Sequence, residues 1–258
     1  MSGLRAKCPD CGTYTAVALG PEYECHACGR AFAAGLVRVP RAWGEGGEAM
    51  EEAARLPFPY PETVVVECDS LGEQTLVLAS ELPERPFVLG GCCCAHVGAV
   101  EGLAARYGRI AVVWLDAHGD LNTPESSPTG NPWGMPLRML LDAGTVDPED
   151  VVLIGARNLD PPEEEFIASS DLRVGEEGVQ AALEGTDGVY VAFDCDSVEP
   201  DELAAFMPEP GGLTLAEVEE LFGRLREHAL VVGAGVTALL PEKRNIEPIT
   251  RTLAALSL

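Results

Sequence analysis

One segment of the sequence places three potential metal ligands directly after a buried strand. Ile110–Leu115 is a short apolar run rich in β-branched residues, which is typical of a strand covered on both faces of a parallel sheet. Asp116, His118 and Asp120 follow at intervals of two, so their side chains point to one side if the extended backbone continues. The carboxyl ends of parallel strands are where α/β proteins place their chemistry. The segment therefore predicts a functional site at a strand end.

A second strand repeats this arrangement. Val189–Asp196 reads VYVAFDCD, with Asp194 and Asp196 again two residues apart. Carboxylates that converge at neighbouring strand ends repel one another at neutral pH unless cations neutralise them. The two segments together therefore predict a metal centre, and the number of carboxylates favours two divalent ions.

The N-terminal part of the chain carries a metal motif of different chemistry. Two CxxC pairs, each followed by a glycine that permits a tight turn, supply Cys8, Cys11, Cys25 and Cys28. Four thiolates in tetrahedral reach select Zn²⁺. We expect residues 1–36 to form a zinc ribbon that one structural zinc holds together, because so short a segment buries too little apolar surface to fold alone.

The rest of the chain divides into a connecting segment and a larger unit. Residues 37–60 contain glycine and proline clusters around a short acidic stretch, which predicts a linker with one or two helical turns. Strand and helix patterns alternate over residues 61–258, as expected of an α/β domain. Within it, Thr75–Ala79 is interpreted as a strand, and Thr214 with Glu217 forms a capping box that predicts the start of a helix.

Composition limits the classes of partner and compartment. The 258 residues carry a net charge of −25, which argues against a nucleic-acid surface and could attract a cationic substrate. No apolar run approaches the roughly 20 residues of a membrane span, and the first residues lack the apolar core of a signal peptide. Nine cysteines without a secretion signal indicate metal or thiol chemistry in a reducing compartment. We therefore expect a cytoplasmic protein without nucleic-acid or membrane partners.

Three separated motifs resemble the ureohydrolase family, which includes arginases, agmatinases and formiminoglutamases. They are DAHGD (116–120), FDCD (193–196) and the GG turn at Gly90–Gly91, and the resemblance covers roughly residues 61–236. It implies a three-layer α/β sandwich with a mostly parallel sheet and a dinuclear manganese site with a bridging hydroxide. It further implies a homo-oligomer that hydrolyses a C–N bond in a guanidino or formimino group of a small cationic or amino-acid-like substrate.

The resemblance also assigns metal ligands by position. Six side chains would hold the two ions: Cys93, Asp116, His118, Asp120, Asp194 and Asp196. Asp116 and Asp194 would bridge the ions, Cys93 and Asp120 would complete the shell of one, and the remaining pair that of the other. Asp120 would also be catalytic, taking the proton of the hydroxide and passing it to the leaving amine.

The loop after the DAHGD motif narrows the resemblance towards the arginases, because NTPESSPTGN (122–131) keeps the loop length of that branch. By position, Asn122, Thr129 and Asn131 would bind the α-carboxylate of a substrate, and Asp160 its α-amino group. The same residue types also serve turns, and Asp is a common N-cap residue, so both interpretations stay open.

Three positions depart from the arginase pattern. Cys93 replaces a metal-binding His, Trp133 replaces a proton-shuttling His, and Leu240 is aligned with a Glu that pairs with the guanidinium, with Glu242 two residues later. A thiolate can bind a divalent ion, although Cys93 could instead be a small buried apolar residue. An indole cannot shuttle protons. These departures keep open a catalytically impaired, ligand-sensing protein, or one in which the ribbon serves docking or oligomerisation.

Overall fold

A computed structural model describes two sheets. The described residues are 8, 11, 13, 15–19, 22–32 and 35–258; the other residues of the predicted ribbon lie outside this description. The first sheet is antiparallel and contains β1 (Ala16–Leu19), β2 (Glu22–Cys25) and β3 (Ala31–Phe32). Its own small buried cluster includes Cys8 and Cys25 and is separate from the clusters of the larger sheet.

The second sheet has eight described strands, and every described pairing within it is parallel. The strands are β4 (Gly35–Val39), β5 (Glu62–Val65), β6 (Pro86–Gly90), β7 (Ile110–Leu115), β8 (Val151–Ile154), β9 (Arg173–Val174), β10 (Gly188–Asp194) and β11 (Val231–Thr237). Their order is β5-β4-β6-β11-β10-β7-β8-β9, so the two strands that carry the carboxylate motifs, β7 and β10, are neighbours. The predicted α/β class is confirmed.

Helices cover both faces of this sheet. They are α1 (Glu48–Ala53), α2 (Leu71–Glu81), α3 (Cys94–Tyr107), α4 (Pro136–Asp142), α5 (Pro161–Ser169), α6 (Val179–Ala182), α7 (Leu215–His228) and α8 (Ile246–Ala255). Alternation along β7 sends Val113 into the core beneath Leu221 of α7, and Val112 and Trp114 into the opposite core beneath Leu103 of α3. Two separate cores on one sheet make the three layers that were predicted.

Short 3₁₀ helices connect several of these elements. They span Pro132–Gly134, Pro148–Asp150, Glu176–Gly178, Cys195–Ser197 and Lys243–Asn245. The predicted capping box is confirmed at the start of α7, where Thr214 Oγ1 accepts from the Glu217 N–H and Glu217 accepts from the Thr214 N–H. No helix in the described part of the chain is long and apolar enough to cross a bilayer.

The strand predicted over Thr75–Ala79 is wrong, because these residues lie within α2. Ser70 caps this helix by accepting from the Glu73 N–H. Two glycines of α3 let α2 pack closely: a Cβ at Gly98 would lie 2.7 Å from the Thr75 carbonyl oxygen, and one at Gly102 would lie 2.6 Å from that of Ala79. Tertiary packing thus outweighs the local β-branched composition.

The predicted linker over 37–60 also differs from the structure. Residues 37–39 belong to β4, which pairs with both β5 and β6 inside the main sheet. Further along, α1 and Phe58 pack into the cores. A charged residue, Arg38, interrupts the apolar pattern that would have indicated a buried strand. Arg38 is nevertheless buried, because it donates to Glu62 at 2.5 Å and to the Ala54 carbonyl at 2.7 Å.

Candidate metal centre and substrate cavity

The ends of β7 and β10 bring the two carboxylate motifs together. Leu115 pairs with Phe193, so the next residues, Asp116 and Asp194, lie side by side at the carboxyl edge of the sheet. Both carboxylates are buried. Parallel pairing in this register explains why residues so distant in sequence share one site.

One candidate ion position contains only nitrogen and oxygen donors. Ligand atoms of Asp116, His118 and Asp196 all lie within 4.8 Å of one another. His118 Nδ1 is 3.4 Å from Asp116 Oδ1 and 3.0 Å from Asp196 Oδ2. Backbone N–H groups hold the carboxylates in place: that of Ala117 donates to Asp196, and that of His118 donates to Asp116. The other ring nitrogen, Nε2, is buried without a hydrogen-bond partner among the described residues.

The second candidate position adds a sulfur donor. Ligand atoms of Cys93, Asp116 and Asp120 lie within 4.8 Å of one another. Cys93 Sγ is 2.7 Å from Asp194 Oδ2 and 3.9 Å from Asp116 Oδ2. Asp120 Oδ2 is buried and has no hydrogen-bond partner in the described part of the chain.

The backbone reaches this arrangement by a different route from the one that the sequence suggests. The extended conformation predicted for residues 116–120 ends at Leu115, and Asp120 has a φ of 53°, in the left-handed region. Asp is one of the few residues that adopts this conformation at modest cost. The turn, rather than strand alternation, carries Asp120 back towards Asp116.

The electrostatics of the metal-free site favour bound cations. Burial, reinforced by Asp196, raises the pKa of Asp194 to about 8. Burial also raises the pKa of Asp116 and, further, that of Asp120, whose neighbouring carboxylates add to the effect. Burial opposes protonation of His118, but Asp116 and Asp196 outweigh it and raise its pKa to about 12. Without metal the cluster therefore gathers protons as its counter-charge, and these oxygen and nitrogen donors fit divalent ions.

The cluster forms the floor of a cavity of about 230 Å³. One wall is apolar, formed by Met50, Pro128, Trp133, Phe206, Met207 and Ala238. Trp133 packs edge-on against Phe206, with 5.8 Å between ring centroids. The absence of a side chain at Gly44 leaves room for the Trp133 indole, because a Cβ there would lie 2.3 Å from the ring. The cavity is therefore polar at its base and apolar on one side.

All four candidate substrate-binding residues line this cavity, and each is also engaged in loop structure. Asn122 Nδ2 donates to Asp160 Oδ2 at 2.8 Å, and Thr129 Oγ1 accepts from the Asn131 N–H. Asn131 Oδ1 accepts from the Glu45 N–H. Asp160 is also the N-cap residue of α5. Turn formation and exposure to the cavity thus coexist at these positions.

The alignment at Leu240 does not hold in the structure. Leu240 lies outside the cavity lining and donates its N–H to the Ala204 carbonyl, while Glu242 pairs with Arg244 at the surface. The residue after β11 that reaches the cavity is Ala238, whose φ of 56° lies in the left-handed region and ends the strand alternation. The position at the cavity still carries no carboxylate.

Sequence reasoning missed the contribution of Glu163. This buried side chain lines the cavity and accepts from the backbone N–H groups of Leu121 and Asp160, at 2.9 Å each. A Cβ at Gly119 would lie 2.8 Å from its carboxylate, so the glycine of the DAHGD motif admits it. The Asp160-x-x-Glu163 spacing is a capping-box pattern, and that signal could have indicated its position.

A buried polar chain behind the cluster was also missed. Thr237 Oγ1 lies 3.2 Å from Cys93 Sγ, 3.3 Å from Asp194 Oδ2 and 3.3 Å from His96 Nε2. His96 Nδ1 lies 2.9 Å from the Tyr190 hydroxyl, and burial lowers the pKa of His96 to about 3. A neutral His96 therefore orients Thr237 from behind instead of facing the cavity.

The four ribbon cysteines converge as their spacing predicts. Their Sγ atoms lie within 4.8 Å of one another, with 3.5 Å between Cys8 and Cys28 and 3.6 Å between Cys11 and Cys25. Zn–S bonds of about 2.3 Å in a tetrahedron place sulfurs roughly 3.8 Å apart. The donor set and its dimensions fit zinc.

Comparison with known proteins adds an independent line of support. A model of the arginase family matches residues 49–257. Arginase from Bacillus caldovelox is 35% identical over 189 residues, which cover 62% of this chain and 63% of that protein. An arginase of Staphylococcus aureus is 36% identical over 158 residues, which cover 51% of this chain and 52% of that protein. The chain thus spans between half and two thirds of the length of these relatives.

Solved structures agree with the fold. The crystal structure of arginase from Bacillus subtilis matches with a TM-score of 0.76 at 24% identity, covering 87% of this chain and 98% of that one. The native arginase structure from Bacillus caldovelox matches with a TM-score of 0.74 at 26% identity, covering 87% and 97%.

Proposed function

Because this chain belongs to the arginase family, we propose that it is a metal-dependent hydrolase of a guanidino- or formimino-type C–N bond. The observation that carries the proposal is the convergence of six potential ligands on the floor of one cavity: Cys93, Asp116, His118, Asp120, Asp194 and Asp196. Neither the ribbon nor the exposed surface offers a comparable cluster of carboxylates within the described residues.

Two divalent ions, Mn²⁺ by family resemblance, would be held by these six side chains. The buried Asp120 carboxylate, whose Oδ2 has no hydrogen-bond partner in the described part of the chain, supports an additional occupant of the polar floor. Bound there, the ions would supply Lewis acidity and lower the pKa of a water molecule at neutral pH. We likewise assign one structural Zn²⁺ to Cys8, Cys11, Cys25 and Cys28.

Asp120 is the proposed catalytic residue. With one carboxylate oxygen bound to an ion, its other oxygen would accept the proton that the attacking water loses as it adds to the planar substrate carbon. The C–N bond then breaks, and Asp120 returns that proton to the leaving nitrogen.

The polar rim of the cavity would orient the substrate. Asn122, Thr129 and Asn131 would donate hydrogen bonds to a substrate carboxylate, while Asp160 and Glu163 would accept them from a substrate amine. This charge pattern favours a small cationic or amino-acid-like substrate. A net charge of −25 adds a long-range attraction for cations.

We extend the proposal to a homo-oligomer in the cytoplasm. The family resemblance supports the oligomer, and the nine cysteines, all without a disulfide partner, support a reducing compartment. Light scattering during size-exclusion chromatography tests the oligomer directly: a mass of about 27 kDa, that of one chain, would contradict it.

The activity test uses the full chain loaded with Mn²⁺. Urea and ammonia release are measured over a panel that includes arginine, agmatine and formimino compounds. We expect product from at least one, and a loss of at least 100-fold in kcat for Asp120→Asn, within the range for removal of a general acid–base. Asp171→Asn, at an exposed site, is the matched control and keeps full activity.

A ligand-sensing, catalytically impaired protein is the second candidate. It is favoured by Trp133, which cannot transfer protons, and by Ala238, which leaves the β11 edge of the cavity without a carboxylate. Two bound metal ions per core together with no product from any compound of the panel would support this candidate and reject the hydrolase.

A further inference from the structure

The two candidate ion positions differ in donor chemistry, and this difference has a consequence for metal selection. The position around His118 is built from imidazole and carboxylate, whereas the position around Asp120 includes the sulfur of Cys93. Both share Asp116. Carboxylate oxygens suit Mn²⁺, whereas thiolate favours the softer Zn²⁺.

Cys93 belongs to an apolar cluster with Val88 and Ala95, but its sulfur lies against polar atoms. Three polar atoms lie close to its sulfur: Asp194 Oδ2 at 2.7 Å, Thr237 Oγ1 at 3.2 Å and Asp116 Oδ2 at 3.9 Å. Its neighbours Cys92 and Cys94 lie in another apolar cluster, with Met50 and Ala42, and neither belongs to a candidate ligand group of the described residues. The three adjacent cysteines are therefore not equivalent.

The dimensions also suit a sulfur-containing tetrahedral site. Bonds of about 2.3 Å to sulfur and 2.0 Å to oxygen give an S···O separation near 3.5 Å. The observed separations from Cys93 Sγ to Asp194 and Asp116, 2.7 and 3.9 Å, lie on either side of this value. Small side-chain shifts would place both oxygens and the sulfur around one ion. Thr237, held by His96, is in position to donate to the thiolate.

We propose that the centre binds two different metals, Zn²⁺ at the Cys93 position and Mn²⁺ at the His118 position. The Cys93 thiol releases its proton to solvent as the Zn–S bond forms. The inference rests on the proposed metal centre and deepens it by naming which residue makes the two positions unequal. It does not depend on whether any substrate is hydrolysed.

Cobalt spectroscopy tests the sulfur ligand, because Co²⁺ substitutes for Zn²⁺ and gives a near-ultraviolet charge-transfer band when thiolate binds. The metal-free full chain is titrated with Co²⁺. Since the ribbon thiolates give the same kind of band, the measured quantity is the difference between wild type and Cys93→Ser. We expect a positive difference band for wild type, and none between wild type and the control Cys68→Ser, which removes a thiol outside both clusters.

Metal competition tests the selectivity. Wild type and Cys93→His are dialysed against Zn²⁺ with excess Mn²⁺, and the metal content per chain is measured. Zn²⁺ binds most nitrogen and oxygen sites more tightly than Mn²⁺, so the informative quantity is the change on substitution. We expect wild type to retain one Zn²⁺ beyond that of the ribbon. Cys93→His should exchange it for Mn²⁺, lowering the Zn/Mn preference at this position by on the order of tenfold.

An unchanged cobalt spectrum in folded Cys93→Ser, or an unchanged Zn/Mn ratio in folded Cys93→His, would overturn the proposal. If neither variant folds by circular dichroism, anomalous scattering from wild-type crystals at the zinc and manganese edges decides it. A zinc peak within about 2.3 Å of Cys93 Sγ supports the proposal, and manganese there overturns it. Hydrolysis without the thiolate band would reject this inference alone, and the band without hydrolysis would reject the proposed activity alone.

Discussion

At the scale of single residues, Cys93 at the position of a family His would change the charge of the proposed metal centre. A thiolate adds about one negative charge that a neutral imidazole lacks. After β11, the residue that lines the cavity is Ala238, so the carboxylate of the arginase pattern is absent at this position. If Cys93 binds an ion as proposed, attraction for a cationic substrate would move from the cavity wall to the metal cluster. We would then expect the nucleophilic water to be less acidic.

This charge difference predicts the pH profile of Cys93→His. Removal of one negative charge makes the water more acidic, so we expect the rise of kcat with pH to move to lower pH. Rate measurements on the Mn²⁺-loaded proteins across the pH range check this. An unchanged profile, with both ions still bound, contradicts the charge argument.

The metal-free cluster gives a stability prediction whose sign follows from its raised pKa values. In the folded chain Asp194 titrates near pH 8 instead of 3.8, and His118 near pH 12 instead of 6.5. The folded state therefore holds protons that the unfolded state has released, and stability falls as pH rises through this window. We expect the free energy of unfolding of the chelated protein to decrease between about pH 5 and pH 8.

Urea unfolding with a chelator present measures this slope. Asp194→Asn should reduce it, whereas the exposed Asp171→Asn should leave it intact. Added Mn²⁺ should reverse its sign, because ions compete with protons for the same oxygens and bind better as pH rises. Stability that increases with pH in the chelated wild type would show that the carboxylates are not held as described.

Gly119 of the DAHGD motif leaves room for the buried Glu163 carboxylate. Gly119→Ala would bring a methyl group 2.8 Å from the Glu163 carboxylate, which is fixed by two backbone N–H groups. We expect a loss of about 1–3 kcal/mol in unfolding free energy, as for other overpacked sites. The matched control is Gly72→Ala, where no atom lies within 4 Å of the added methyl group. Equal stability of the two variants would contradict the packing.

At the scale of elements, the contact between α2 and α3 depends on close backbone approach. A Cβ at Gly102 would lie 2.6 Å from the Ala79 carbonyl oxygen. Gly102→Ala should therefore cost about 1–3 kcal/mol despite the higher helix propensity of Ala. Gly223→Ala, in α7 with no atom within 4 Å, should instead stabilise by up to about 1 kcal/mol. Thermal unfolding of both variants compares them, and a stabilised Gly102→Ala would refute the close contact.

The elements also show what the sequence could predict and what it could not. The apolar run of β7 and the capping box of α7 were predicted correctly, because burial pattern and cap chemistry are local signals. The strand assigned to Thr75–Ala79 and the linker that contains Arg38 were wrong, because both depend on partners far along the chain. For the site, residue types at strand ends indicated the cluster. The positive φ of Asp120 and the position of Ala238 could not be read from spacing.

At the scale of the whole molecule, the ribbon and the large sheet have separate buried clusters. The ribbon has its own core around Cys8 and Cys25, separate from the two cores of the large sheet. We expect Cys25→Ser/Cys28→Ser to lose one Zn²⁺ per chain while the large domain keeps its thermal transition and its other metal ions. Calorimetry with metal analysis checks this. Loss of the main transition would mean that the ribbon is needed to fold the whole chain.

The ligands of the centre also come from distant parts of the chain, since Cys93 and Asp194 are 101 residues apart. The complete set of ligands forms only after β6, β7 and β10 have paired. We therefore expect metal binding to be a late step in folding. In stopped-flow refolding, cobalt absorbance from the centre would lag behind the recovery of helical signal. Until then the newly made protein would have an incomplete set of metal ligands. A shortage of ions would therefore first slow the formation of the metal-bound protein.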